Sequence, residues 1–172
     1  MARLVDSLLV LARDVSAGVA SEVVNVADLA RQAAVRVLPQ PGAAVVNAPD
    51  EALVRGDEEL LSIAIENLLD NARKFRSQGQ PVRVDVSASG ERVSVAVASP
   101  GARVSNEARD RVFERFYRGA EARAGSDGHG LGLPLCRHIA RLHGGEARCT
   151  SRPDEDARFV VEVPAWTPAE GR

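Results

Sequence analysis

Asn67, Asn71 and Lys74 follow one another at four- and three-residue steps along a segment whose remaining residues repeat with a helical period. At about 100° per residue the three share an arc of about 60°. Asparagine is a mediocre helix former, so two of them one turn apart lower helix stability without adding burial. The bland reading is local hydrogen bonding, or contact with the edge of another element. The chemical reading is a helix edge that presents amide oxygens and one cation to a phosphate–metal group. Amide oxygens are hard, neutral ligands suited to a Mg²⁺ that keeps several waters, and an ammonium one turn further on neutralises phosphate oxygens. Lys74 is the only lysine among 22 basic residues, which a coding bias toward arginine explains by itself.

A second candidate is Gly128-His129-Gly130-Leu131-Gly132-Leu133. Glycines let backbone approach a ligand, and amides at a helix start favour an anion. Dinucleotide-binding and P-loop motifs both fail as matches, because no strand leads into the segment and no Gly-Lys-Ser/Thr follows it. Cys136 and Cys149 have no metal-ligand spacing and read as reduced thiols.

The elements that must position these residues follow from periodicity. Residues 2–13 carry apolar side chains at Leu4, Leu8, Leu11 and at Val5, Leu9, Ala12, a helical period with a wide apolar face. Asp14 to Glu22 is turn-like. Asn25 caps a predicted helix over about Val26–Leu38, and Asp57 caps a long one running to about Arg76. On that long helix Leu61, Ile65, Leu68, Leu69 and Ala72 form the apolar arc, with Glu66, Asp70 and Arg73 on the solvated far side. Short β-like segments fall at Ala43–Asn47 and Ala52–Arg55. Val82–Ala88 and Arg92–Ala98 make a hairpin around Ser89-Gly90-Glu91. A short helix is expected at Ser105–Arg111 and a mobile stretch at Gly119–Gly130. Leu131–Leu142 is the last helix, ended by Gly144-Gly145, and strands at about Glu146–Ser151 and Arg158–Val163 follow, with Pro164 onward a tail. Irregular alternation of helices with adjacent antiparallel strands argues for an α+β, two-layer sandwich with helices on one face of a mixed, mostly antiparallel sheet.

Composition narrows the function. The chain has 172 residues, 45% apolar and 27% charged, enough for one domain with a core. Net charge is −2, so no global basic field points to nucleic acid or an anionic membrane. No apolar run approaches the roughly 20 residues of a bilayer span, and Met1 leads into an amphipathic stretch rather than a signal peptide. Cytoplasmic placement is expected, either free or as the cytosolic part of a membrane-bound sensor.

Together the motifs carry a family resemblance. Glu66-Asn67-Leu68-Leu69-Asp70-Asn71-Ala72-Arg73-Lys74-Phe75 resembles the asparagine box of sensor histidine kinases. Phe113-Glu114-Arg115-Phe116-Tyr117-Arg118 resembles their phenylalanine box, Gly128–Leu133 their second glycine box, and His143-Gly144-Gly145 the turn that follows it. The order holds over about Val24 to Val163. The resemblance implies an ATP-binding domain of the GHKL (Bergerat) fold over residues 21–164. Residues 1–20 resemble the end of the dimerisation hairpin, and 165–172 form a tail. It implies ATP and Mg²⁺ as ligands. Asn71 would take the Mg²⁺-ligand role with Asn67 beside it, Lys74 would contact phosphate, and Phe75 would stack on the nucleotide. Arg115 and Arg118 are implied phosphate contacts when the lid closes, and His129, Gly130, Leu131 and Gly132 line the second glycine box. Phe113 and Phe116 are expected to anchor the lid apolarly. Hydrolytic relatives place a glutamate where Asn67 stands, and an amide is no general base. The implied chemistry is therefore phosphoryl transfer to a protein histidine, carried by positioning and charge neutralisation.

The sequence departs from the pattern at two places. The first glycine box, Asp-x-Gly-x-Gly, is here Ser99-Pro100-Gly101-Ala102-Arg103. The family's aspartate receives the adenine amino group; Ser99 is shorter and neutral. A charge-assisted hydrogen bond is worth about 1.5–3 kcal/mol against about 1 for a neutral one, so one to two decades of affinity are at stake, roughly. Arg103 puts bulk and charge where the chain bends around the ligand. An ATP site that is weakened or relaxed toward other bases, and a degenerate regulatory scaffold, both follow from these changes. The second departure is the phosphoacceptor: only His129, His138 and His143 exist, the first in the glycine box and the others at structural positions. The histidine must then belong to another domain, the wider partners being that domain, a response regulator, and a second copy joined through the N-terminal helix. A serine kinase of the anti-sigma type fits that helix poorly.

Overall fold

Asn25 and Asp57 each stand where a strand gives way to a helix and cap that helix. The computed structural model describes residues 8–12, 14, 19, 21–119 and 129–167. In it β1 (Glu22–Asn25) runs straight into α1 (Val26–Val37), after β2 (Ala44–Asn47) comes β3 (Leu53–Gly56), and β3 feeds α2 (Glu58–Phe75). The Asn25 side chain accepts from Ala27 N at 3.2 Å, and Asp57 Oδ1 accepts from Leu60 N at 3.0 Å. Each cap satisfies an amide that the helix start would otherwise orphan. Asn25 Oδ1 also accepts from Ala52 N at 3.0 Å, and β1 pairs antiparallel with β3, so the two helices start from opposite ends of this ribbon.

Beyond the hairpin β4 (Val82–Ser89) and β5 (Arg92–Ser99) lie the short α3 (Ala108–Arg111), α4 (Gly132–Leu142), β6 (Glu146–Cys149) and β7 (Ala157–Pro164). Five strands form one sheet in the order β2-β4-β5-β7-β6, with β2–β4 parallel and every other pair antiparallel. The two-residue alternation sends Val82, Val84, Val93, Val95, Val97, Phe159, Val161 and Val163 to one face, where they are buried against Leu29, Ala33, Leu61, Ile65, Leu68 and Cys136 of the helices. Burying one such side chain contributes about 1.5–3 kcal/mol. The result is the expected α+β sandwich with helices on one face.

A histidine locks the layer. α4 ends in a Schellman turn, with Gly144 at φ +72, Gly145 N donating to Ala140 O at 2.8 Å and Gly144 N to Arg141 O at 3.0 Å. This places His143 beneath the start of α2. Its Nε2 accepts from Asp57 N at 3.1 Å while Nδ1 meets Ile139 O at 2.7 Å, which requires the neutral ring with its proton on Nδ1. A Cβ at residue 56 would overlap the imidazole, so only glycine fits there. Cys136 is fully buried, its thiol 3.2 Å from Ala64 O and pushed up by burial, and is inert.

Three segments differ from expectation. β1 has only four residues and no alternating run, so its sequence reads as part of the preceding turn; it exists through pairing with β3. α3 is one turn shorter than expected. Ala165 and Trp166, expected in a tail, are tied down: Ala165 N donates to Glu91 O and Trp166 N to Leu53 O, both at 2.8 Å. Of the predicted N-terminal helix, residues 8–11 are described and helical. Val10 and Leu11 are buried against Leu60, Ala64, Leu131, Leu135, Ile139 and Leu142. Residues 2–7 and 13 lie outside the described residues, as do 120–128 of the predicted mobile stretch.

Burial holds the His143 pKa below the ordinary histidine value, against the Ile139 carbonyl and the Asp57 charge, which raise it. The unfolded chain therefore binds the proton more tightly than the native one, and stability falls as pH drops through about 6.5. In His143→Gln the melting temperature at pH 7.5 should drop, the loss corresponding to about 1–3 kcal/mol for unpaired buried groups. Its decline between pH 7.5 and 5.5 should also be shallower than in the native protein; parallel curves would show that His143 does not set the slope.

Candidate functional site

Because α2 buries Leu61, Ile65, Leu68, Leu69 and Ala72 against the sheet, its edge is left to Asn67, Asn71 and Lys74. Asn67 is half-buried, and its Nδ2 donates to Ile63 O at 2.8 Å. The amide is thereby oriented, and its Oδ1 faces Gly132: a Cβ there would stand 3.2 Å from that oxygen. The structure thus brings the asparagine edge and the second glycine box together. Asn71, half-buried, makes no side-chain hydrogen bond among the described residues. Lys74 Nζ lies 2.6 Å from Asp70 Oδ2, and Arg73 Nη2 lies 2.6 Å from Asp70 Oδ1. Asp70 lies with Arg73 on the outer side of α2 as expected, and also reaches Lys74, so it links that side to the asparagine edge. Burial opposes its ionisation, but hydrogen bonds and charge from Lys74 and Arg73 outweigh this and hold the carboxyl below its usual range.

At the far end of α2 the Phe75 ring is exposed. Ser77 N donates to Pro100 O at 2.8 Å, and Gly101, at φ +84, lies so close to the Ser77 side chain that any Cβ would overlap it. Glycine backbone therefore meets α2 near residue 67 and, just past the end of the helix, meets the chain again beside residue 77. Ser99 follows Val93, Val95 and Val97 on the helix-facing side of β5. It is 1% exposed, and its Oγ has no hydrogen-bond partner among the described residues. An orphaned buried hydroxyl costs about 1–3 kcal/mol, and a ligand polar atom in this place would relieve it.

Arg103 does not crowd the helix side. Its Nη1 donates to Asp156 Oδ1 at 2.7 Å, Arg83 Nη2 to Asp156 Oδ2 at 2.7 Å, and Gly101 N to Oδ1 at 2.9 Å. Arg83 alternates with core-facing Val82 and Val84, which puts this network on the open face of the sheet. The Gly101 amide and then the Arg103 guanidinium hold the Asp156 carboxyl below its usual range. Nothing in the sequence announced Asp156, since its partners are more than fifty residues away.

The phenylalanine box splits into two parts. Phe113 is buried, edge-on to Phe159 with centroids 6.1 Å apart, and the Arg137 guanidinium lies 5.3 Å from its ring. Phe116 is 63% exposed and so does not anchor the segment apolarly. It stands at φ +65, a left-handed backbone that a bulky residue adopts only under constraint. The constraint is visible: Phe116 N donates to Gly130 O at 3.0 Å, and Gly130, at φ +66, presses on the Phe116 backbone. Arg118 and His129 are exposed. The Leu131 side chain packs on the N-terminal helix, leaving only its backbone for a ligand. Arg115 Nη2 donates to Leu11 O at 3.1 Å.

An amide-lined helix edge enclosed by glycine backbone at two points, on a sandwich of this topology, defines a nucleotide-binding domain. Residues 56–167 match the profile of the family described as histidine kinase-, DNA gyrase B-, and HSP90-like ATPase, and the chain belongs to that family. It is 37% identical over 120 residues to the sensor-like histidine kinase SenX3 of Mycobacterium tuberculosis, covering 69% of this chain and 29% of the relative. To the alginate biosynthesis sensor protein KinB of Pseudomonas aeruginosa it is 34% identical over 148 residues, 81% of this chain and 24% of that protein. The chain thus spans about a quarter to a third of the length of these relatives. Among solved structures, full-length ShkA in complex with AMPPNP superposes with TM-score 0.76 at 30% identity, over 97% of this chain and 36% of that one. The ATP-binding domain of PrrB from Mycobacterium tuberculosis gives 0.66 at 27% identity, over 86% and 98%. The compact unit is an ATP-binding domain of the sensor histidine kinase type.

No helix among the described residues is long and apolar enough to cross a membrane. In Gly132→Ala the new methyl would press on Asn67 Oδ1. This variant should fold with a near-native melting temperature yet bind Mg²⁺–ATP about tenfold more weakly, a shift of about 1.4 kcal/mol readable by calorimetry. Native affinity in this variant would show that the contact does not shape the site.

Proposed function

We propose that the chain binds Mg²⁺–ATP along the Asn67–Lys74 edge of α2 and donates the γ-phosphate to a histidine carried by another domain. The observation that carries this reading is the Asn67 amide, fixed by Ile63 and facing the glycine backbone at Gly132. Bound Mg²⁺ supplies charge neutralisation across the phosphate oxygens. Asn71 holds it, its amide having no competing partner among the described residues. Lys74 is pre-positioned by Asp70 as a phosphate contact, and Arg115 and Arg118 approach phosphate from the phenylalanine box. Phe75 offers a ring face for the base. Ser99 Oγ and the backbone of Gly101 stand at the base end, and the backbone of His129, Gly130, Leu131 and Gly132 at the phosphate end. An amide at residue 67 accepts no proton from water, so the site positions a phosphoryl group rather than hydrolysing ATP. The partners of this activity are a phosphoacceptor histidine domain, a response regulator downstream, and a second copy through the N-terminal helix, with the ATP-binding unit in the cytosol.

Titration of the chain with Mg²⁺–ATP should give binding, and Asn71→Ala should weaken it at least about tenfold while leaving the melting temperature unchanged. Labelled phosphate should pass from ATP to a separately supplied dimerisation domain bearing its histidine. Absence of heat at millimolar ligand ends the kinase reading.

Ser99, which has no carboxylate to offer a base, favours a second reading, a regulatory module with little or no nucleotide affinity. Ser99→Asp with Arg103→Gly separates the two. Binding in the native chain, improved by up to about a hundredfold in the double variant, supports the kinase. Binding in the double variant alone makes the native domain a scaffold.

A further inference from the structure

The Pro100–Gly101 peptide is held at both of its polar ends. Its carbonyl accepts from Ser77 N at 2.8 Å, just past the end of α2, and its N–H donates to Asp156 Oδ1 at 2.9 Å, one residue before β7. The peptide is trans and planar, with its C=O and N–H pointing in opposite directions. The two bonds therefore fix its plane between the helix and the last strand of the chain. Ala102 N donates to Ser99 O at 3.1 Å and Ala157 N to Ala102 O at 2.9 Å, which ties the rest of the loop to β5 and β7. Gly101 is thereby kept at φ +84, against the Ser77 side chain. Opposite Ser99 in the β5–β7 register stands Ala157, a methyl that offers the buried hydroxyl no bond.

One carboxylate serves three donors. Asp156 Oδ1 takes Gly101 N and Arg103 Nη1, and its Oδ2 takes Arg83 Nη2. Both guanidinium groups are open to solvent, where ion pairs add little to stability. The bond to Gly101 does something else: it orders backbone two dozen residues past Phe75 in sequence yet in contact with the end of α2. We propose that Asp156 is a positioning residue for the nucleotide, fixing the Pro100–Gly101 peptide in the plane that this loop presents to the base and drawing Arg103 away to the open face of the sheet. Asp156 touches no ligand and acts through Gly101 and Arg103. The base then meets backbone that is already ordered, and its binding does not bear the cost of ordering the loop. With Ser99 short and neutral at the same end of the site, more of the recognition falls to this backbone. The proposal rests on the nucleotide reading above and deepens it by naming what holds the base end in place.

Calorimetry with Mg²⁺–ATP, together with melting temperatures, on the native chain, Asp156→Ala and Asp156→Asn tests it. Asp156→Ala should melt close to the native protein yet bind about tenfold more weakly, because Gly101 N loses its acceptor. Asp156→Asn keeps an oxygen that accepts from Gly101 N and should stay within about threefold of native affinity. In the native chain the Gly101 and Ala102 amide resonances should move on saturation with Mg²⁺–ATP, a check that needs no variant. Native affinity in Asp156→Ala overturns the positioning role and leaves the nucleotide reading standing. Equal losses in the two variants do the same, since charge rather than the Gly101 bond would then be at work. A melting temperature in Asp156→Ala far below native makes the role structural and also overturns it. Gly101 and Ala102 resonances that stay in place while calorimetry verifies binding put the loop away from the ligand, with the same result. No binding to the native chain at all overturns both readings.

Discussion

Helix α2 has one edge to offer, and the geometry of the site follows from that. Its apolar arc is committed to the sheet and to α4, and its N-terminus is pinned by Asp57 and by His143 pressing into the space that Gly56 leaves. A helix fixed at that end and along one face cannot rotate. The residues flanking the buried arc are then held at the angle where glycine backbone meets them, at Gly132 and, beyond the helix end, at Gly101. Packing that is indifferent to ligands thus sets which edge of the helix faces the glycine backbone. The neutral state of His143 belongs to the same arrangement, because a protonated ring would face the Asp57 amide with a donor against a donor.

Much of this architecture is legible in the sequence because its causes are local. Asn25 and Asp57 announce helix starts, the two alternating valine runs around Gly90 announce a hairpin, and Gly144-Gly145 announces a helix end. The asparagine edge is legible too, since Asn67 and Asn71 sit where a helix has no use of its own for amides. What was not legible depends on distant partners. β1 is a strand only because β3 lies beside it. Asp70 bridges Arg73 and Lys74, one carboxylate oxygen to each, so it is tied into the asparagine edge as well as the outer face. Phe116 shares its motif with Phe113, yet one ring is buried and the other exposed; the difference lies in the left-handed backbone imposed by the bond to Gly130, and a residue type carries no mark of that.

The two departures in the first glycine box have unequal consequences. Arg103 looks disruptive as a bulky substitute for glycine, but it is drawn to the open face of the sheet by Asp156, which also takes Arg83 and the Gly101 amide. The chain has supplied a new anchor for a loop that lost a glycine, and Gly101 keeps its positive φ. Ser99 has no such compensation. Its hydroxyl is buried and unpaired, and no other residue has moved in to bond it. An apolar residue in this valine wall would be the more stable choice, so the unpaired hydroxyl carries a cost that packing does not explain.

A similar asymmetry holds at the N-terminal helix. The described contacts that hold the N-terminal helix are of two kinds: apolar ones from Val10 and Leu11, and a polar one from Arg115. Arg115 belongs to the phenylalanine box and lies apart from the α2–sheet core. Rigid core and adjustable rim are separated along the chain, with residues 58–75 in the first and residues 115, 116 and 130–132 in the second. The strained Phe116 marks the boundary between them, since strain of that kind persists only where surrounding contacts enforce it and is released where they change.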